Sequence, residues 1–419
     1  MQRFTDRLRE RSERSKWPLL LVLAFVQFAH VLDFVIVMPL GPQLMRVFDI
    51  GTASFGLLVS VYNLSAAAAG LVGVFFLDRF DRKKALLFVF AGFILGTLGC
   101  SLAADEKSLL ATRVITGAFG GLIQALLFAI IGDCFDEGKR GAATGTVMSA
   151  FSLASIVGVP IALSLADRYD WRTPFLMLTL ISIATWIWAA RVLPTMRSHL
   201  RELPVVERLP LLSSLKNNLA STFQLFREEN TLTACLLIIC LMFAGFTVIP
   251  FMSAYLVANV GLREADLATV FLAGGAATLI TSRWTGKIAD RFGKERVFTW
   301  LAALSMIPVF LLTHLPKVPI LVAIGIATLF TILISARAIP ALAMITSSIE
   351  GSRRGAFLSL TSSVQQSASG VASFLAGSFL ILGPQGEIRR YDLAGNFAVF
   401  ATLLAIIAAR RLRRPAVLK

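Results

Sequence analysis

Of the 25 acidic residues in this 419-residue chain, Asp33 alone lies well inside a long apolar run. A carboxylate in such a setting is expensive unless it is paired or put to work, and the work that suits it is carrying a proton. The natural partner is Arg113, the basic residue of another apolar run. A nearby guanidinium favours the ionised acid and desolvation favours the neutral one, so forming or breaking the pair would switch Asp33 between releasing and binding a proton. A static salt bridge that only fixes helix packing is the competing reading. His30 stands three residues before Asp33 on the same helical face, where it could share the proton or serve as a polar packing residue.

Other chemistries leave no trace. There is no Gly-x-x-x-x-Gly-Lys-Ser/Thr phosphate loop, no Gly-x-Ser-x-Gly nucleophile elbow and no His/Cys/Asp cluster at ligand spacing. No cofactor, no metal and no enzymatic activity are expected. The four cysteines, Cys100, Cys134, Cys235 and Cys240, lie in or beside apolar runs and show no CxxC spacing, so they read as core residues.

The elements that must hold Asp33 and Arg113 are membrane helices. Apolar residues make up 56% of the chain and charged residues only 16%, against about a quarter charged in soluble proteins. The first apolar run, Trp17 to Leu40, would span about 36 Å as a helix at 1.5 Å per residue. It follows six basic residues but lacks a small-x-small cleavage site, so it reads as a retained helix rather than a signal peptide. Charged and Pro/Gly-rich joints then divide the chain into twelve helices. They fall near 17–40, 52–77, 84–104, 108–133, 140–166 and 173–194, then near 231–257, 266–287, 297–315, 318–346, 355–382 and 393–409. Asp33 and Arg113 sit outward of their helix centres at depths that agree within about 5 Å.

Charge placement orients the chain. With the amino terminus inside, cytoplasmic segments hold 29 of the 40 Lys and Arg residues and outer loops hold 8. That asymmetry is the positive-inside pattern and places both termini in the cytoplasm. The net charge of +15 is therefore topological, and nucleic acid is not expected as a partner. The longest polar connection, about 195–230, divides the chain into 1–194, a linker, and 231–419. The linker reads as a plain inter-domain connection or an amphipathic helix on the lipid surface.

The two parts repeat. Pro39 matches Pro250, Leu77-Asp78-Arg79-Phe80-Asp81-Arg82 matches Ala289-Asp290-Arg291-Phe292-Gly293-Lys294, and Glu137-Gly138-Lys139-Arg140-Gly141 matches Glu350-Gly351-Ser352-Arg353-Arg354-Gly355, at offsets of 211 to 213. In these residues, and over essentially its whole length, the chain resembles the major facilitator superfamily. The second copy, Gly286 to Arg296, follows the Gly-x-x-x-Asp-Arg-x-Gly-Arg/Lys-Lys/Arg signature closely. The first departs at both glycines, with Val74 and Asp81 in their places. Asp81 is expected to adopt the left-handed turn and Gly73 to compensate for Val74. The resemblance implies an all-α membrane protein with two pseudo-symmetric six-helix bundles, in the inner membrane, with nothing requiring more than a monomer.

It also implies a cytoplasmic gate. Asp78, with Arg79 and Arg82, would meet the next half near Arg354, and Asp290, with Arg291, would meet the start of the fifth helix near Arg140. Ala154-Ser-Ile-Val-Gly158-Val-Pro160-Ile-Ala162 resembles the fifth-helix motif of drug:proton antiporters, a branch that includes bacterial sugar effluxers, with Gly158 and Pro160 expected to bend the helix. Arg113-Val-Ile-Thr-Gly117 resembles the family's fourth-helix motif, in which a buried arginine aids proton transfer. Gln124, Asn63, Tyr62, Tyr255, Gln365 and Gln366 fall on helices that line the family's cavity and are candidate substrate contacts. Arg337 is a further one; if it and Arg283 face the cavity they favour an anionic or zwitterionic solute, although Arg283 could snorkel outward.

The function expected on this resemblance is proton-coupled export of a small organic solute by rocking of the two halves. Symport, export of an organic anion, amphiphile or lysolipid, and ligand binding without turnover stay open beside it.

Overall fold

A computed structural model describes residues 2–197, 229–348 and 354–412 of the chain. The linker that divides the halves, read as a plain connection or an amphipathic surface helix, lies mostly outside these residues. In hydrocarbon every backbone amide and carbonyl has to be satisfied within its own segment, so an apolar chain of this kind has little choice but to be helical.

The first half comprises α1 (Gln2–Ile36), a short α2 (Gly41–Phe48), α3 (Thr52–Phe76), α4 (Arg82–Leu102), α5 (Glu106–Cys134), α6 (Glu137–Leu153), α7 (Val159–Arg168) and α8 (Thr173–Val192). The second comprises α9 (Glu229–Phe246), α10 (Ile249–Tyr255), α11 (Glu264–Phe292), α12 (Lys294–Thr313), α13 (Ile320–Thr346), α14 (Arg354–Phe379) and α15 (Tyr391–Arg411). Eleven described helical stretches are long and apolar enough to cross a membrane. The twelfth, α14, is 26 residues long and rich in Ser and Gln, because one of its faces packs against α3 rather than lipid.

The crossings occur where the sequence places them, and the departures have local causes. The first crossing stops at Ile36 and resumes as α2 with Pro42 in its first turn. Its counterpart α9 stops at Phe246 and resumes as α10 with Pro250 in its first turn. Both prolines occupy the position where a missing N–H costs least. Pro42 and Pro250 thus hold the same place in their short helices, while Pro39, the repeat match of Pro250, falls in the intervening turn. The expected bend at Gly158 and Pro160 is a π turn, Ala154–Gly158, joining α6 to α7. A two-stranded hairpin, Ile381–Leu382 with Ile388–Arg389, occupies what was expected to be the end of a helix.

The halves meet along two seams, α3 against α14 and the α6–α7 crossing against α11. At the first seam two backbones touch. A Cβ on Gly56 would lie 2.8 Å from the Ser373 carbonyl and 3.0 Å from Gly377 Cα. One on Gly377 would lie 2.6 Å from the Thr52 carbonyl. The Thr52 hydroxyl donates to the Leu380 carbonyl at 2.8 Å, and the Arg46 guanidinium donates through both Nη atoms to the carboxylate of Glu264, from one half to the other. At the second seam a Cβ on Gly275 would lie 3.2 Å from the Ile156 amide nitrogen.

Toward the end that bears the termini the seam loosens. A Cβ on Gly70 would approach Ser363 Oγ only to 4.0 Å, and Gly132, Gly141, Gly145 and Gly286 have open space where a Cβ would stand. Among the described residues, the closest contacts between the halves lie at the end away from the termini. A methyl group there should loosen them, since overpacking a tight contact costs ~1–3 kcal/mol. In Gly377→Ala, a cysteine at Thr52 should react with a membrane-impermeant maleimide several-fold faster than in the parent; an unchanged rate would mean that this crossing does not hold the end shut.

Candidate functional site

Asp33 lies near the end of α1, and its side chain turns into the first bundle, away from lipid. It is fully buried, and Arg113 of α5 is 1% exposed. Arg113 Nη1 donates to Asp33 Oδ2 at 2.7 Å and to the Asp33 carbonyl at 3.2 Å. The Thr97 hydroxyl of α4 donates to Asp33 Oδ1 at 3.3 Å. The guanidinium lies over the Tyr62 ring of α3, 4.3 Å from its centroid, a cation–π contact. Four helices therefore converge on one ion pair.

Glycine makes the convergence possible. A Cβ on Gly117 of α5 would lie 2.3 Å from the Tyr62 carbonyl, one on Gly120 would lie 2.6 Å from the Tyr62 hydroxyl, and one on Gly121 would lie 2.2 Å from the Ala66 carbonyl. Any side chain at these three positions would lift α5 off α3 and take Arg113 away from the ring.

The remaining candidates divide by geometry. His30 is buried between the Tyr62 and Phe93 rings at 6.4 and 6.3 Å, and neither ring nitrogen hydrogen-bonds to a described residue. Asn63 is buried and donates to the Val59 carbonyl one turn back. Gln124 is half-buried, three and seven residues beyond Gly121 and Gly117, on the α5 face that meets α3. Gln366 shares the α14 face of Ser363 and Gly370, while Gln365 is exposed. Tyr255 spends its hydroxyl on the Leu315 carbonyl at 2.9 Å and stacks on Tyr391, so it packs the second bundle.

Arg337, on the fourth long crossing of the second half as Arg113 is on that of the first but about twelve residues further along the repeat, is also turned into its bundle. It is 1% exposed and donates at 2.9 Å to the hydroxyls of Ser305 and Thr402. The expectation that it faces the cleft is not met: α12 and α15 offer it hydroxyl acceptors, and a buried guanidinium needs them. Arg283 is exposed near the end that bears the termini.

The gate residues are partly in place. The side chains of Asp78 and Arg354 lie outside the described residues. Arg82 donates to Asp133 at 2.9 Å and to the Leu77 carbonyl at 3.2 Å, tying α4 to α5 within one half. Arg140 donates to the carbonyls of Phe135 and Gly132, also within its half. Asp290 is exposed, Arg79 is half-buried, and Arg291 lies over the Phe292 ring. The expected approach of Asp290 to Arg140 is not made: Arg140 is spent on carbonyls of its own half, and Asp290 is exposed.

The first-copy loop differs from expectation in a second way. Asp81 does not take the left-handed conformation; at φ −54° it N-caps α4, accepting from the Lys83 amide at 2.9 Å and the Lys84 amide at 3.4 Å. Gly293, its counterpart, does have a positive φ of 93°. Gly73 lets α3 lie close to α5, since a Cβ there would lie 2.2 Å from Leu122 Cδ2; the side chain of Val74 lies outside the described residues. Burial opposes ionisation of Asp81, but the Lys84 amide, the Arg197 guanidinium and the Lys83 amide together hold its carboxyl below the usual range.

Sequence reasoning missed Thr97, the contact between Phe34 and Phe246 across the halves at 6.1 Å, and the Arg46 to Glu264 pair. Only the Gly117-x-x-Gly120-Gly121 spacing carried a signal, that of close helix approach.

The fold and this arrangement agree with known proteins. The Major Facilitator Superfamily model matches residues 23–373 and 234–418, and the chain belongs to that family. It is 28% identical over 322 residues to the MFS-type transporter YwfA of Bacillus subtilis, covering 75% of this chain and 74% of that protein. It is 22% identical over 365 residues to YbcL of the same organism, covering 86% and 88%. Among solved structures, the D-xylose-proton symporter superimposes with a TM-score of 0.75 at 15% identity, covering 93% of this chain and 97% of that one. The inward open conformation of the xylose transporter XylE from E. coli superimposes with a TM-score of 0.70 at 16% identity, covering 92% and 95%. At such identities the likeness is one of fold. The protein is a multi-pass membrane transporter of this superfamily, which is not an enzyme class.

Two measurements check the site. Arg113→Met should lower stability by ~3–5 kcal/mol, because it strands a buried carboxylate, and adding Asp33→Leu should restore much of the loss; an Arg113→Met that melts with the parent would show the pair to be weak. Asp81→Ala should cost ~1 kcal/mol through the lost cap. A folded carboxyl that ionises below its unfolded value contributes stability fully above that value and loses it as pH falls through the lower folded one. The difference between parent and Asp81→Ala melting temperatures should therefore hold at neutral pH and shrink below about pH 4.

Proposed function

We propose that this transporter exports a small organic solute across the cytoplasmic (inner) membrane by proton antiport, with both termini in the cytoplasm and the monomer as the working unit. Asp33 carries the proton, and Arg113 is the counter-ion it leaves and rejoins as the halves rock about the α3–α14 and α6–α11 seams.

The observation that supports the reading best is the ion pair itself. Asp33 is the one carboxylate well inside a span, it is fully buried, and its partner has an alternative resting place on the Asp33 carbonyl and the Tyr62 ring. A buried pair whose cation also has a carbonyl and a ring face to rest on can let its acid go neutral at a smaller cost than an unpartnered guanidinium would impose. One proton driven inward supplies about 2.3 kcal/mol per 100 mV, enough for roughly 50-fold expulsion of a neutral solute, so a second acid is not required.

Export rather than uptake is favoured by the α6–α7 crossing. Its Ala154 to Ala162 stretch, which resembles the antiporter motif, opens with a π turn at Ala154–Gly158 that contacts both α1 and α11. A Cβ on Gly158 would lie 3.0 Å from Leu32 of α1, one residue before Asp33. With Arg113 and Arg337 turned into their bundles, the candidates left partly exposed, Gln124 on the α5 face toward α3 and Gln366 on the α14 face toward α3, are neutral. A neutral or weakly polar solute suits them better than an organic anion.

Proteoliposomes with an imposed pH gradient test the proposal, using ethidium, fluorescein and D-xylose as cationic, anionic and neutral probes. Acid-inside vesicles should accumulate a probe by antiport, and Asp33→Asn should lower that flux at least tenfold while sparing downhill exchange. Accumulation only in acid-outside vesicles would make the protein a symporter, and full gradient-driven flux in Asp33→Asn would remove Asp33 from coupling.

A further inference from the structure

The ion pair is buried inside one bundle, while the solute must pass between the two. Coupled transport needs a physical link from the seam to the pair, and a continuous run of aromatic rings spans that distance. Phe246 of α9 faces Phe34 of α1 with centroids 6.1 Å apart. Phe34 stacks on Tyr62 at 5.4 Å. Tyr62 in turn carries the Arg113 guanidinium, 4.3 Å from the ring centroid.

Each end of this run is placed to matter. Phe246 is the last residue of α9, where the crossing breaks before α10, and a residue at a helix break moves when its half turns. Phe34 and Phe246 are both only half-buried, so they border the space between the halves. Phe34 also follows Asp33 directly in the chain. Tyr62, by contrast, is 1% exposed and pinned against the glycine face of α5, with its hydroxyl buried and making no hydrogen bond to a described residue. Its ring, not its hydroxyl, makes the contacts that count.

We infer that Tyr62 is a positioning residue that ties the state of the inter-half space to the Asp33–Arg113 pair through Phe34 and Phe246. When the carboxylate is ionised it holds the guanidinium directly. When it accepts a proton, the guanidinium stays on the π face of Tyr62 and the Asp33 carbonyl, both already within reach. A shift of Phe34, driven by solute or by rocking of α9, moves the ring and with it the balance between those two states. This rests on the proposal that Asp33 carries the proton, and it adds the route by which the opposite half reaches that proton.

The test follows Asp33 itself and needs no knowledge of the solute. Infrared difference spectra of the full-length protein in lipid vesicles, titrated between about pH 4 and 10, identify the Asp33 carboxylic C=O band as the one that Asp33→Asn removes. Tyr62→Leu should move the midpoint of that band by about one pH unit or more, a tenfold change in proton affinity, while Tyr62→Phe stays within about 0.2 unit of the parent. Phe34→Leu and Phe246→Leu should move it in the same sense by a smaller amount, and they decide the matter if Tyr62→Leu does not purify as a monodisperse protein.

A present Asp33 band with an unmoved midpoint in Tyr62→Leu and Phe34→Leu would overturn the link and leave Asp33 as the proton carrier. Spectra in which parent and Asp33→Asn coincide at every pH would show that Asp33 does not titrate, and would overturn the coupling proposal together with the link built on it.

Discussion

Lipid offers a polar group nothing to bond to, and that single constraint runs through the whole molecule. Backbone amides answer it by forming helices. Charges answer it by leaving the spans for the ends, and the few that stay must be compensated inside a bundle. Arg113 finds a carboxylate, and Arg337 finds two hydroxyls. The difference is functional as well as structural: a guanidinium facing hydroxyls has no proton partner to exchange with, whereas one facing Asp33 does. The fourth helix of each half thus carries a buried arginine, at different depths and with different chemistry.

The same constraint explains why small residues govern how the halves meet. Between membrane helices there is little hydrophobic gain to be had, so close packing and short polar contacts do the joining. Gly56 and Gly377 let two backbones touch at the end away from the termini, and Gly117, Gly120 and Gly121 bring α3 close enough for Tyr62 to lie under Arg113. Glycine spacing therefore sets both the conformation of the protein and the geometry of its ion pair. The Arg46 to Glu264 bridge adds a contact across that same end; being largely exposed on the arginine side, it contributes at most about 1 kcal/mol.

Openings in the helices are placed with equal economy. Pro42 and Pro250 restart interrupted crossings from the same place in their short helices, and the π turn at Ala154–Gly158 falls where the fifth crossing meets both α1 and α11. Irregular backbone in a membrane protein is tolerated only where protein surrounds it, and these breaks sit at the seams, where relative motion of the halves has to be absorbed.

What the sequence by itself determined was everything that follows from transfer between water and lipid. The number and position of the crossings, the division into halves and the singling out of Asp33 with Arg113 are all written in which residues are apolar and where the exceptions fall. The loop at Asp81 was read less well, because capping and a left-handed turn are both open to an aspartate and only its neighbours choose between them. Facing was not legible at all. Arg337 and Tyr255 fall on helices where a cavity role is reasonable, and only the packing of α12 and α15 around one, and of Leu315 and Tyr391 around the other, turns them inward. The link from Phe246 through Phe34 to Tyr62 joins residues from three helices and both halves. Periodicity along a helix defines a face, but which neighbour that face meets is decided by how whole helices pack, and that is a property of the tertiary structure.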